Sequence, residues 1–338
     1  MNMESETPQV EQRAQSRGRA GRVLVGALLL SAAGWWVVYL AGVRWWIGDV
    51  LLNGSVHLGV LLAACSLVRL AAVRSWGSVG VAVVCLSVLL MCMNGRRVLP
   101  TGVDAEDPNT GYISVVGMNL KMSNDDPEGL MRLLESLDDD VVVLIEPQWD
   151  VFDRLKDSDD RLDRYPHRVV RRRDGMGVSP MLILSRWEVV RDESVDPWLG
   201  LSVVILRPES LGGSFRLVGL YAHSPRTPER WNLGNRVVDE LIARLVALNH
   251  RDNLPLLIVG DLNAGPMTGR DRALRGTLGV QRTSWVLGPK STFPAKMSMF
   301  GLLIDDIWVN DSVEGVSWST FVIPGSDHRG VRAGLMVD

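Results

Sequence analysis

The chain has 338 residues, 46% of them hydrophobic, and 36 Lys and Arg stand against 39 Asp and Glu for a net charge of −3. With 33 Gly and 16 Pro in no period it is not fibrous, and no repeat marks it as a solenoid. Its three cysteines (Cys65, Cys85, Cys92) match no zinc spacing and are too few for a disulfide framework.

The averages conceal a division. After a tail over residues 1–22, three apolar runs follow at 23–43, 50–68 and 76–93, all free of formal charge. Crossing a bilayer takes roughly 17–25 such residues, so the pattern predicts three transmembrane helices, the second softened by Asn53 and His57. Tryptophans cluster near their ends (Trp35, Trp36, Trp45, Trp46, Trp76), where amphipathic rings favour the interface. The first run is too long for the apolar core of a cleaved signal, and two more follow it.

Basic residues in short flanking loops set orientation. Arg13, Arg17, Arg19, Arg22, Arg69 and Arg74 lie on one side, and Arg44, Arg96 and Arg97 on the other. This excess predicts a cytoplasmic N-terminus and, after three crossings, an extracytoplasmic remainder.

Residues 94–110, mixing Pro, Gly and acids, read as a linker, and 111–338 as one globular domain large enough for its own core. Tyr112–Met118 reads as a strand, and Pro127–Leu137 as a helix with acids in its first turn. Val141–Ile145 is a continuous apolar strand of the doubly buried type. Strand character returns at Met181–Leu184, Leu201–Leu206 and Phe215–Tyr221. Glu229–Leu248 has the spacing of a long amphipathic helix, and Leu256–Val259, Leu302–Val309 and Val316–Ile323 are strand-like again. The order is α/β, with enough consecutive late strands to require antiparallel pairing as well.

Chemistry-bearing residues stand where these strands end. VVVLIE closes on Glu146, LLIVGDLNA on Asp261 with Asn263 beside it, and GLYAHSP on His223; Asn119 ends the first strand. LLIDDIW places Asp305 and Asp306 in an apolar run, and GSDHRG carries Asp327 and His328 near the C-terminus. Ligands of open α/β sheets gather beyond the carboxyl ends of strands. Carboxylates gathered there repel one another unless a cation sits among them. Oxygen donors suit Mg²⁺, Mn²⁺ or Ca²⁺, and histidines beside a hard cation suit phosphate chemistry.

Asn119, Glu146, His223, GDLN (Gly260–Asn263), IDDI (Ile304–Ile307) and SDH (Ser326–His328) occur in the order of the endonuclease/exonuclease/phosphatase superfamily, which this region resembles throughout. The resemblance implies a two-sheet, DNase I-like α/β sandwich and metal-dependent hydrolysis of a phosphoric ester, with Mg²⁺ the expected cation and Mn²⁺ its substitute. It implies Glu146 as principal metal ligand, assisted by Asn119 and Asp327. Asp261 orients or deprotonates water, Asn263 holds the phosphate or that water, His328 pairs with Asp305, and His223 contacts the scissile phosphate. Asp306 is the acid not chosen. The chain departs from some nucleases of the superfamily in showing no acidic partner for His223.

HSPRTPERW (His223–Trp231) resembles a stretch of membrane-anchored bacterial members, some grouped with teicoplanin-resistance proteins. That implies cell-envelope work, and antibiotic resistance, through a lipid-linked phosphate. Duplex binders commonly carry a basic stripe. From Gly111 onward acids outnumber bases, and the basic cluster is Arg168 with Arg171, Arg172 and Arg173. A membrane-anchored nuclease is the second expectation, and a catalytically silent precursor-binding module the third.

Overall fold

The computed structural model describes residues 7–93, 111–156, 162–171, 180–194, 200–208, 212–284, 291–297 and 300–337, with side chains from residue 19 on. The linker 94–110 and the pair Arg172–Arg173 lie outside the described residues. The chain divides into two units, Met1–Asn94 and Gly95–Asp338.

In the first unit, α1 (Thr7–Ala41), α2 (Trp46–Leu52), α3 (Ser55–Val73) and α4 (Trp76–Met93) follow in order. The run predicted at 50–68 is not one helix. Asn53 Nδ2 donates to the Val50 carbonyl at 3.0 Å, and Gly54 follows it, so the chain stops and restarts at Ser55. A side-chain amide that competes for helix carbonyls, followed by glycine, ends a helix. The restarted helix then carries Arg69 within it, its Nη1 donating to the Gly21 carbonyl at 3.4 Å.

Three spans were expected, but among the described residues two helices are long and apolar enough to cross a membrane, Arg19–Arg44 and Ser55–Val73, while Trp76–Cys92 is a shorter apolar helix. The three are joined by polar contacts. Trp35 Nε1 donates to Ser55 Oγ at 2.9 Å and Trp36 Nε1 to Ser87 Oγ at 3.3 Å. Gly59 lets α3 approach α4, since a Cβ there would lie 3.2 Å from Leu89 Cα.

The second unit is built from two six-stranded sheets. The first runs β11-β12-β1-β2-β4-β3, with β1 (Tyr112–Asn119), β2 (Val141–Ile145), β3 (His167–Arg171), β4 (Met181–Ser185), β11 (Val313–Val322) and β12 (Arg329–Val337). The second runs β5-β6-β7-β8-β10-β9, with β5 (Glu188–Asp192), β6 (Leu201–Arg207), β7 (Phe215–Tyr221), β8 (Leu256–Asp261), β9 (Gln281–Arg282) and β10 (Asp305–Val309). Each sheet holds one parallel pair, β1 with β2 and β7 with β8, and the other pairings are antiparallel.

A helix makes each parallel crossover, as the geometry of parallel pairing demands. α5 (Pro127–Ser136) starts where Asp126 Oδ1 accepts from Gly129 N at 2.8 Å, with Pro127 in the first turn. α7 (Pro228–Asp252) repeats the device, with Thr227 Oγ1 accepting from Arg230 N at 3.3 Å ahead of Pro228. α6 (Trp149–Lys156) and α8 (Gly269–Leu278) complete the set.

Ile113, Val115, Val143, Leu217, Leu257 and Ile307 fill the layer between the sheets. The outer face of the first sheet buries Val116, Met118 and Val142 with Leu130 and Leu134 of α5 and Phe152 of α6. That of the second buries Val218, Ile258 and Trp308 with Val237 and Leu241 of α7 and Leu274 of α8. β1, β2, β7 and β8 are thus covered on both faces, which explains their nearly unbroken apolar runs. The expected α/β two-sheet sandwich is what these elements form.

Candidate active site

The two central parallel pairs point their carboxyl ends at one edge. Asn119 is the last residue of β1 and pairs with Ile145, so Glu146 follows directly at the end of β2. Asp261 ends β8 and pairs with Tyr221 of β7, two residues before His223. β10 runs antiparallel to β8, so Asp305 begins where Asp261 ends, and the two are register partners. The segment 326–328 is tied to the same edge by Ser326 Oγ, which donates to the Asn119 carbonyl at 2.8 Å and accepts from His328 N at 3.0 Å.

Asp261 is wholly buried and joins the two sheets. Its Oδ2 accepts from Asn119 Nδ2 at 3.0 Å and Asn263 Nδ2 at 2.9 Å, and its Oδ1 from Asn263 N at 2.7 Å. Burial first, then the facing Asp305, pushes its carboxyl well above the usual carboxylate range. Such an acid holds its proton unless a cation comes near.

His328 Nδ1 lies 2.9 Å from Asp305 Oδ2 and 3.1 Å from Oδ1. Burial opposes its charge, but Asp305, Asp261 and Asp327 outweigh that and push the imidazole up to about 10. The Phe293 ring lies against it, centroids 4.9 Å apart. Thr292 Oγ1 accepts from Ile304 N and Asp305 N, both at 3.1 Å, and so fixes the start of β10.

Strand alternation sends Asp306 the other way, to Arg282 Nη1 at 3.2 Å and to Ser284 Oγ. Asp305, not its neighbour, therefore meets the histidine.

His223 is pushed below its ordinary value by burial, then by Arg230 and Arg270, with Glu146 pulling the other way. That shift favours the neutral imidazole, and the acid acting on it is Glu146 rather than a dedicated partner. Glu146 and Asn263 adopt positive φ, 54° and 49°. Backbone held in this sparsely populated region collects at functional sites.

A divalent cation fits this donor set. Asp305 and the imidazolium of His328 offset each other, so a cation that drives the proton from Asp261 leaves one uncompensated negative charge in the cluster. Among the described residues, one oxygen or nitrogen each of Asp261, Asp305 and His328 lies within 4.8 Å of the others. His328 is a poor ligand there, because a charged imidazole hydrogen-bonded to Asp305 offers no lone pair. That leaves the cation to the oxygens.

Three supporting residues lay outside the sequence reading: Thr292, Phe293 and Arg270. Nothing in a Thr-Phe-Pro loop or a helix-start arginine marks them; Ser326, by contrast, sits inside the SDH motif.

The sequence model of the endonuclease/exonuclease/phosphatase family matches residues 116–328. The chain belongs to that family. Its members hydrolyse phosphoric esters, and all the residues described above fall within the matched span. No curated protein sequence gives a significant match.

Solved structures share the fold. The human nocturnin catalytic domain with bound sulfate is 15% identical, with 68% of this chain and 95% of that one covered at a TM-score of 0.53. A family protein from Bacteroides thetaiotaomicron is 15% identical over 67% and 95% at 0.52. A conserved protein of unknown function from Enterococcus faecalis V583 is 16% identical over 67% and 100% at 0.51.

Proposed function

We propose that the chain is a membrane-anchored, divalent-metal-dependent phosphoesterase that acts outside the cytoplasm on a lipid-linked phosphate of the cell envelope. The observation that carries the enzymatic part is the Asp305–His328 pair facing Asp261, itself oriented by Asn119 and Asn263. A binding module has no need of a buried acid aimed between two amides and an imidazolium.

Glu146, with Asn119 and Asp327, would hold the cation, Mg²⁺ by its oxygen ligands and Mn²⁺ as substitute. When bound, it neutralises the non-bridging phosphate oxygens. Asp261 takes a proton from the water that attacks phosphorus. The P–O ester bond breaks, and the leaving oxygen is protonated from solvent. Asn263 fixes the water or the phosphate, charged His328 stabilises the crowded phosphoryl oxygens, and neutral His223 donates to the scissile phosphate.

The lipid part rests on the rim. Met297 and Phe300 are 50% and 71% exposed. Their segment is anchored beside the site, with Ala295 N donating to the Asp327 carbonyl at 2.7 Å and Phe293 lying against His328. Large apolar side chains standing in water beside a polar site suit a substrate with a hydrocarbon tail. Nucleic acid is less well served. In the basic cluster, Arg171 bonds Asp192 at 2.5 Å and Arg168 the Leu155 carbonyl at 2.9 Å.

The test compares polyprenyl phosphates, sphingo- and glycerophospholipids, their short-chain analogues and DNA on the detergent-solubilised chain with Mg²⁺. Met297→Ser/Phe300→Ser should lower kcat/KM for the long-chain ester by roughly 10-fold to 100-fold, the contact value of two apolar side chains. The short-chain ester should lose less than about 2-fold. Preferential cleavage of DNA, or equal losses on both esters, would overturn the lipid reading.

The anchoring supports an extracytoplasmic site if α4 crosses with α1 and α3, and its contacts with both favour that. A single thiol at Ser136→Cys, with the native cysteines removed, should react with an impermeant reagent added outside intact cells. Reaction only after lysis would reverse the orientation.

A further inference from the structure

Beyond Tyr221 and Asp261 the ladder of β7 and β8 ends with Ala222 N donating to the Asp261 carbonyl at 2.9 Å, and the two chains part. One carries His223 and the other Leu262 and Asn263. Arg270, in the first turn of α8 and 2% exposed, reaches back to both. Its Nη1 donates to the His223 carbonyl at 2.8 Å and to the Leu262 carbonyl at 3.0 Å. Nη2 donates to the Trp231 carbonyl at 3.1 Å, and Nε to Asn235 Oδ1 at 3.0 Å. α7 passes so close to the guanidinium that a Cβ at Gly234 would collide with it.

A buried guanidinium is a costly way to hold four elements together if packing alone were at stake. Its planar fork, however, fixes distance and angle together, which a lysine's single ammonium cannot do. We propose that Arg270 is a positioning residue: it locks the His223 main chain against Leu262, between Asp261 and Asn263, so that the imidazole and the water-activating acid meet one phosphate. Its kinetic consequence rests on the phosphoesterase reading above, but its structural consequence does not.

The test uses the full chain in detergent with its five histidines labelled at ¹³Cε1, and the chromogenic diester bis(p-nitrophenyl) phosphate with Mg²⁺. Arg270→Lys keeps the charge and loses the fork. It should move the His223 resonance while leaving that of His328 in place. It should lower kcat on the order of 100-fold, as expected for a misplaced catalytic group, with KM within about 3-fold. Asn235→Ala, which removes the Nε acceptor alone, should shift His223 in the same direction by less and covers the case in which the lysine variant does not fold. An unmoved His223 resonance in a folded variant, or a wild-type kcat, would overturn the proposal. Wild-type protein that cleaves no phosphoester would count against the proposed function, while the His223 resonance would still decide the role of Arg270.

Discussion

Asp261→Asn is expected to lower turnover by roughly 10²–10⁴-fold, the usual worth of a positioned general base, without loss of fold. The amide has the same shape, but it cannot take a proton from water. The stability change should run the other way. Burial and the facing Asp305 raise the acid's proton affinity in the folded state. The native protein therefore binds more protons than the unfolded chain once pH exceeds the ordinary carboxylate value, and without a cation its stability falls as pH rises through that window. Asn removes the titration, so the variant's thermal midpoint at pH 8 in EDTA should equal or exceed that of wild type. Near-normal kcat, or a midpoint that drops at pH 8, would contradict the assignment of Asp261.

Arg282→Ala should cause the largest loss of stability, about 3–5 kcal/mol, because it strands buried Asp306 and leaves buried Asp271 only the more distant Arg275 at 3.4 Å. Arg282 is 1% exposed and sits between Asp271, 2.6 Å away, and Asp306, 3.2 Å away. It lies over the Trp308 ring at 4.7 Å, and its Nη2 donates to the Ala264 carbonyl at 2.9 Å. Replacing the cluster as a whole, with Arg282→Met, Asp271→Asn and Asp306→Asn together, should restore most of the loss, since no fully buried charge is then left unpaired and only the part-exposed Arg275 loses its carboxylate. Urea denaturation in detergent, followed by tryptophan fluorescence, measures both. A single variant that loses less than about 1 kcal/mol would show that the cluster is not the brace described here.

The strands that carry the site were legible because they are covered on both faces. Val141–Ile145 is an unbroken apolar run and Phe215–Tyr221 is broken only by Arg216, so the first polar residue after each marks a strand end. Elements with mixed surroundings were not. β5 reads as EVVRD, with four of its five residues exposed, and α8 opens on charges that look like solvent-facing residues. Arg270, Asp271 and Arg282 are among the most buried groups in the molecule. Their burial depends on strands far away in sequence, and no local period announces it.

The choice between Asp305 and Asp306 came from a motif resemblance rather than from spacing. Its physical reason is the pleat of β10, which needs the register with β8 to be known. In the first unit, counting apolar residues joined 50–68 into one run, whereas the Asn53–Gly54 pair decided where the helix begins.

The central claim is that Glu146, Asn119 and Asp327, separated by up to 208 positions, hold one cation that the hydrolysis of a P–O bond requires. Mn²⁺ binding to the full chain, followed by electron paramagnetic resonance alongside phosphate release, tests it most directly. Wild type should bind Mn²⁺ and lose activity in EDTA, and Glu146→Gln and Asp327→Asn should each weaken binding and turnover together. Undiminished Mn²⁺ binding in both variants, or hydrolysis that persists in EDTA, would contradict the account.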